Sequence, residues 1–88
     1  MEYEEIKKEM LILRINVKRN TIENLKMILN SYKIIMNRLL VKKENILPGN
    51  FPEIDLKLFN IFKQINLITE TLLTLESELF ILEEIGVI

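Results

Sequence analysis

Apolar residues recur at alternating intervals of four and three along the second half of the chain. The nine positions that share this spacing are all Ile or Leu: Ile54, Leu58, Ile61, Ile65, Ile68, Leu72, Leu75, Leu79 and Leu82. This spacing keeps the side chains on one face of an α-helix over four heptads. It predicts a helix over about residues 53–85 whose apolar face packs against other helices.

The first half of the chain shows the same spacing over a shorter stretch. The positions that share it are Ile22, Leu25, Leu29, Tyr32, Met36 and Leu39. No Gly or Pro occurs in residues 1–47, so we expect one long helix over about residues 3–44. A second set of apolar residues is out of phase with the first: Ile6, Met10, Leu13 and Val17. An inserted stutter near Thr21 would join the two sets into one face.

The region around Asn20 allows a different interpretation of the first helix. Polar residues cluster in residues 16–21, and Asn20 with Glu23 has the spacing of a capping box. A break near Asn20 would give three helices instead of two. Residues 13–18 also alternate as a strand would, but no second strand pattern exists in the sequence to pair with them.

Both prolines and one of the two glycines lie within residues 45–52. Residues before proline avoid helical geometry, and Pro48-Gly49 is a typical turn dipeptide, so this segment predicts the loop between the helices. Pro52 suits the first turn of the second helix. Phe51 either folds back as a hydrophobic staple or stays exposed as an anchor for a partner.

The two halves of the chain carry opposite charge. Residues 1–47 contain ten Lys or Arg and six Glu, whereas residues 48–88 contain two Lys and seven acids. An antiparallel fold-back at Pro48-Gly49 would bring these charges together. The groups predicted to be close are Lys42 and Lys43 with Glu53 and Asp55, Arg19 with Glu78, and Arg14 with Glu83 and Glu84. We therefore predict an all-α fold, an antiparallel hairpin of two long helices that forms a single domain over residues 1–88.

The apolar surface of the second helix is wider than one helix–helix contact can cover. Further apolar residues border its regular stripe: Phe59, Phe62, Leu67, Leu73, Phe80 and Ile81. Exposure of each such side chain forfeits roughly 1.5–3 kcal/mol. We expect two hairpins to dimerise into a four-helix bundle, or an unidentified protein to cover the remaining faces.

Composition excludes much enzyme chemistry. The chain contains no Cys and no His, and hence no thiolate nucleophile, none of the common zinc ligands and no imidazole for proton transfer near neutral pH. Its hydroxyl residues have no base beside them in a recognisable arrangement, and Gly49 and Gly86 are too isolated for a phosphate-binding loop. We expect a protein that is not an enzyme and uses no cofactor or metal.

Arg19, Lys26 and Lys33, spaced by seven residues, form a basic row on the first helix, with Arg14 and Lys18 nearby. Such a row can contact phosphates, so a nucleic-acid-binding regulator is the alternative function. The acids of the second half favour a row that is paired within the chain.

The pattern as a whole predicts a small helical protein that acts through self-association and docking to another protein, as an adaptor or regulator. Its longest apolar runs fall far short of the about 20 residues needed to span a membrane, and its acidic beginning is unlike a signal peptide. A chain without Cys fits a reducing cytoplasm, where we expect this protein to act.

Overall fold

The computed structural model describes residues 2–45 and 51–87, with side chains for all of these except residues 51, 86 and 87. Helix α1 spans Glu2–Glu44 and helix α2 spans Phe51–Val87. The described residues contain no strand, and the two helices pack against each other as a hairpin. The predicted all-α hairpin is therefore confirmed. The Pro48-Gly49 turn lies outside the described residues.

Helix α1 is continuous through the polar cluster around Asn20. The Oγ1 hydroxyl of Thr21 donates a hydrogen bond of 2.9 Å to the carbonyl oxygen of Val17, four residues earlier in the same helix. The hydroxyl therefore bonds within the continuing helix, and Asn20 and Glu23, the predicted capping pair, both lie in the interior of α1. The alternative of a break near Asn20 is wrong, and the single long helix is confirmed.

Helix α2 begins two residues earlier than predicted. Phe51 and Pro52 fall within the predicted loop over residues 45–52 but belong to the first turn of α2, a position for which Pro52 is suited. Proline is tolerated there because the first amide groups of a helix have no carbonyl partner within the helix. The predicted choice between a staple and an anchor for Phe51 concerns a side chain outside the described residues.

The two helices run antiparallel along a rod of 71 × 15 × 15 Å. Within the described residues the buried apolar side chains are Ile22, Ile54, Leu58, Ile68 and Leu72. The other predicted stripe positions are half-buried, and they are Leu25, Leu29, Tyr32, Met36, Leu39, Ile61, Ile65, Leu75, Leu79 and Leu82. We call these two facing rows the inner stripes of α1 and α2. They form a core only one layer thick.

The inner stripe of α1 continues toward the N-terminus without a change of register. Steps of four, three and four back from Ile22 reach Lys18, Ile15 and Leu11, and all three are half-buried. The predicted stutter is wrong, because the out-of-phase residues lie on a different, solvent-exposed face of α1. These residues are Ile6, Met10, Leu13 and Val17.

Lys18 occupies a position of the inner stripe where an apolar residue would be expected. Its side chain is 27% exposed, and its ammonium group forms an ion pair with the carboxylate of Glu78 on α2. A lysine can cover apolar surface with its aliphatic stem while its charged end reaches a polar partner. The stripe can therefore continue through this position despite the charge.

The position of the inner stripe predicts that the same substitution at two neighbouring residues of α2, Ile68 and Leu67, changes the free energy of unfolding by very different amounts. Ile68→Asp should lower the free energy of unfolding by at least about 3 kcal/mol, because it removes a buried side chain and buries a carboxylate without a partner. Leu67→Asp is the matched control, since Leu67 is exposed and the added charge is the same. Urea denaturation followed by circular dichroism measures both. Equal stabilities would contradict the assigned packing.

Candidate functional site

Ion pairs join α1 to α2 along the rod. The Nη2 atom of Arg19 lies 2.6 Å from Oε1 of Glu83, and its Nε atom also donates to that oxygen. Three further pairs join the described parts of the helices: Lys18 with Glu78, Lys26 with Glu76 at 3.7 Å, and Lys43 with Asp55 at 2.5 Å. These contacts align the basic helix with the acidic one in opposite directions.

The structure corrects part of the predicted pairing. Lys43 lies against Asp55 as predicted, but Glu78 binds Lys18, and Arg19 binds Glu83 instead. Lys18 lies in the inner stripe and faces α2, whereas Arg19 is exposed beside it. Lys18 is therefore the residue that pairs with Glu78. Within the described residues Arg14 forms no ion pair with Glu83 or Glu84, although it was predicted to lie near them.

The basic row is largely neutralised within the hairpin. Arg19 and Lys26 are both paired with carboxylates of α2, as is neighbouring Lys18. Lys33 makes no ion pair within the described ranges. Each exposed pair stabilises the fold by only about 0–1 kcal/mol, but it lowers the net positive charge that the row presents to solvent.

A second apolar row runs along the N-terminal part of α1. Its members are each 53–69% exposed, and they are Tyr3, Ile6, Met10, Leu13 and Val17. We call this row the outer stripe. Residues 2–10 of α1 are all exposed, and Leu11 is the first half-buried residue of the helix. The start of the outer stripe therefore has no cover from α2.

Large apolar side chains are also exposed farther along both helices. On α1 they are Met27, Ile28, Ile34, Ile35, Leu40 and Val41. On α2 they include Leu56, Phe59, Phe62, Leu67, Leu73, Phe80 and Ile81. Phe59, Leu73 and Phe80 are separated by multiples of seven residues and lie on one side of α2. Exposed apolar surface of this extent in a small protein marks interaction sites.

The exposed area supports the same conclusion. The chain has 7298 Å² of accessible surface, whereas a compact globular chain of its mass, 10.5 kDa, exposes about 5,400 Å². The excess of about 1,900 Å² exceeds the roughly 800 Å² that each partner buries in a standard protein interface. The excess reflects the elongated shape of 71 × 15 × 15 Å, which leaves the outer faces of both helices open to solvent.

An open groove of about 610 Å³ lies between the helices near the free end of the hairpin. Its lining combines apolar and charged side chains: Leu13, Arg14, Val17, Lys18, Glu78, Ile81 and Leu82. Leu13 and Val17 belong to the outer stripe, so the groove and the stripe share an edge.

No protein-family model matches this chain, and no curated protein or solved structure was found to be similar to it. The described part of the chain contains no group of three or more potential metal ligands. Neither of the helices, as described, has a stretch apolar enough to cross a membrane. The exposed apolar rows on both helices are the candidate binding surfaces of the described residues.

Sequence reasoning found the residues of the outer stripe, Tyr3 apart, but placed them on the wrong face. The signal that separates the two stripes was present in the spacing, because Leu11 and Ile15 are in register with Ile22. Lys18 concealed this register, since a charged residue interrupts the apolar pattern at that position.

The ion pairs predict a modest, salt-dependent effect on stability. Arg19→Glu combined with Lys26→Glu should keep both helices but lower the free energy of unfolding by about 1–2 kcal/mol at low salt, because two attractive pairs become repulsive. Adding Glu76→Lys and Glu83→Lys should restore stability. Urea denaturation at low salt and at 1 M salt tests this, since salt screens exposed charges. A loss without rescue would contradict the pairing.

Proposed function

We propose that this protein acts through self-association and docking to another protein, as a non-enzymatic adaptor or regulator. The observation that supports the proposal most directly is the exposed apolar surface along both helices. Two helices share one line of contact, so the apolar faces that point away from it require cover from a second molecule.

Self-association into a dimer accounts for this surface economically. Two hairpins contain four helices, and a four-helix bundle is a common arrangement for amphipathic helices of this length. A standard interface buries roughly 800 Å² on each partner, so a dimer needs to cover only part of the excess of about 1,900 Å² per chain.

The row of Phe59, Leu73 and Phe80 is the surface we assign to a protein client. Aromatic residues are enriched at protein interfaces because they bury a large apolar area at a low cost in conformational entropy. This row lies on α2, whereas the outer stripe lies on α1, so one chain can present two separate binding faces. The absence of Cys leads us to place this binding in the cytoplasm.

Binding of nucleic acid through the basic row is the alternative. The pairs of Arg19 with Glu83 and Lys26 with Glu76 weaken its support, because a phosphate would have to compete with a carboxylate already in place. Of the basic row and its neighbours Arg14 and Lys18, Lys33 and Arg14 are the residues best able to contact a phosphate, since neither forms an ion pair within the described residues.

Light scattering distinguishes the two functions. We expect a mass of about twice 10.5 kDa over a tenfold range of protein concentration, unchanged by a short DNA duplex. A mass that rises with the duplex and returns to its original value in high salt would favour nucleic-acid binding. A monomer at all concentrations would contradict self-association.

A further inference from the structure

The outer stripe has the residue pattern of a second coiled-coil contact. Its members follow intervals of three, four, three and four, from Tyr3 to Val17. In heptad notation, Tyr3, Met10 and Val17 occupy position a, and Ile6 and Leu13 occupy position d. Asn20 occupies the next d position and ends the apolar pattern, so the contact is about two heptads long.

This contact lies on a different side of α1 from the inner stripe, although Leu13 and Val17 also border the groove between the helices. Successive helical residues are rotated by about 100°, which places the outer stripe roughly 140° around α1 from the inner stripe. Exposure of more than half of each side chain agrees with this placement. The stripe therefore does not compete with the packing of the hairpin, and a partner helix can lie along it.

Charged residues flank the outer stripe in a sorted arrangement. On one side, at position g, are Glu2 and Glu9; on the other side, at position e, are Lys7 and Arg14. All four are exposed, and none forms an ion pair within the described residues. The ammonium group of Lys7 lies 5.1 Å from the centre of the Tyr3 ring, which holds it beside the stripe.

The signs of the charges at positions e and g indicate which helix can pair with the outer stripe and whether it runs parallel or antiparallel. In a parallel pair of identical helices, position g of one copy faces position e of the other copy five residues later. Glu2 would then face Lys7 of a second copy, and Glu9 would face Arg14. In an antiparallel pair, g faces g and e faces e, which would oppose like charges. The stripe is therefore complementary to a parallel copy of itself.

We propose that two copies of this chain associate through a parallel coiled coil formed by residues 2–17 of α1. This inference rests on the proposed self-association and specifies its surface and direction. The two α1 helices meet at the free ends of the hairpins, and the two α2 helices lie outside them. This arrangement differs from a square bundle in which each α1 packs against the α2 of the other copy.

The hairpin favours this contact by preparing the helix before association. An isolated helix of about 15 residues is marginal in water because its nucleation is unfavourable. Residues 2–17 continue directly into the part of α1 that packs on α2, so the nucleus already exists. Association then orders side chains rather than backbone, which lowers the entropic cost of binding.

Disulfide cross-linking tests the direction of the pair, and the chain has no cysteine of its own. Val17→Cys should form a cross-linked dimer under mild oxidation, because identical a positions face each other in a parallel pair within disulfide reach. Ile12→Cys is the matched control, since Ile12 is 58% exposed and Val17 is 56% exposed, but Ile12 lies off the stripe. An antiparallel pair would instead bring residue 17, at position a, opposite a d position near the far end of the contact, such as residue 6 of the other copy.

Charge substitution tests the partner by a second route. Lys7→Glu with Arg14→Glu should raise the Kd of the dimer at least tenfold at low salt, and adding Glu2→Lys with Glu9→Lys should restore it. The fully exchanged chain should pair with itself and not with the wild-type chain, because a mixed parallel pair opposes like charges. Circular dichroism verifies that each variant retains its helices.

The outcomes separate this inference from the proposed function. Cross-linking through residue 17 together with self-sorting of the exchanged chain supports the parallel contact. A stable dimer that forms mixed pairs, or that cross-links equally at residues 12 and 17, overturns the contact but leaves self-association standing. A wild-type chain that is monomeric by light scattering overturns both.

Discussion

Two helices can share only one line of contact, and this constraint governs the whole molecule. The inner stripes of α1 and α2 form that contact, and Ile22, Ile54, Leu58, Ile68 and Leu72 are buried between them. A hairpin has no second layer to cover the opposite sides of its helices. Its core is therefore one side chain deep, and its stability depends on the length of the contact more than on its depth.

Electrostatics select the arrangement that hydrophobic packing alone would leave open. Apolar stripes with intervals of three and four can pack in more than one register, since every heptad resembles the next. The pairs of Lys18 with Glu78 and Arg19 with Glu83, near one end, and of Lys43 with Asp55, near the other, favour one direction and register. Each pair contributes little stability, but a shift by one heptad would break the pairs of Lys18 with Glu78 and of Lys43 with Asp55, because neither lysine would then face a carboxylate of α2.

The same constraint links the fold to the proposed function. Apolar residues that a larger domain would bury remain on the surface here, from the outer stripe of α1 to Phe59, Leu73 and Phe80 on α2. These two surfaces differ in chemistry. The outer stripe is flanked by charges of both signs that complement a copy of itself, whereas the α2 row presents two phenylalanines and a leucine. The difference supports separate uses, self-association for the first and a protein client for the second.

Periodicity is a local property, and it sufficed to predict both helices, the inner stripe from Ile22 to Leu39 and the stripe from Ile54 to Leu82. The spacing alone could not decide which face of α1 carries the contact before Ile22, because two apolar rows coexist there and Lys18 interrupts the correct one. The packed helix α2 decided this, since Glu78 lies within reach of Lys18 and makes a charged residue acceptable at the contact. Tertiary packing likewise agrees with the single helix expected for α1 and not with the alternative break near Asn20, because a continuous helix keeps Leu11 and Ile15 in the same stripe as Ile22.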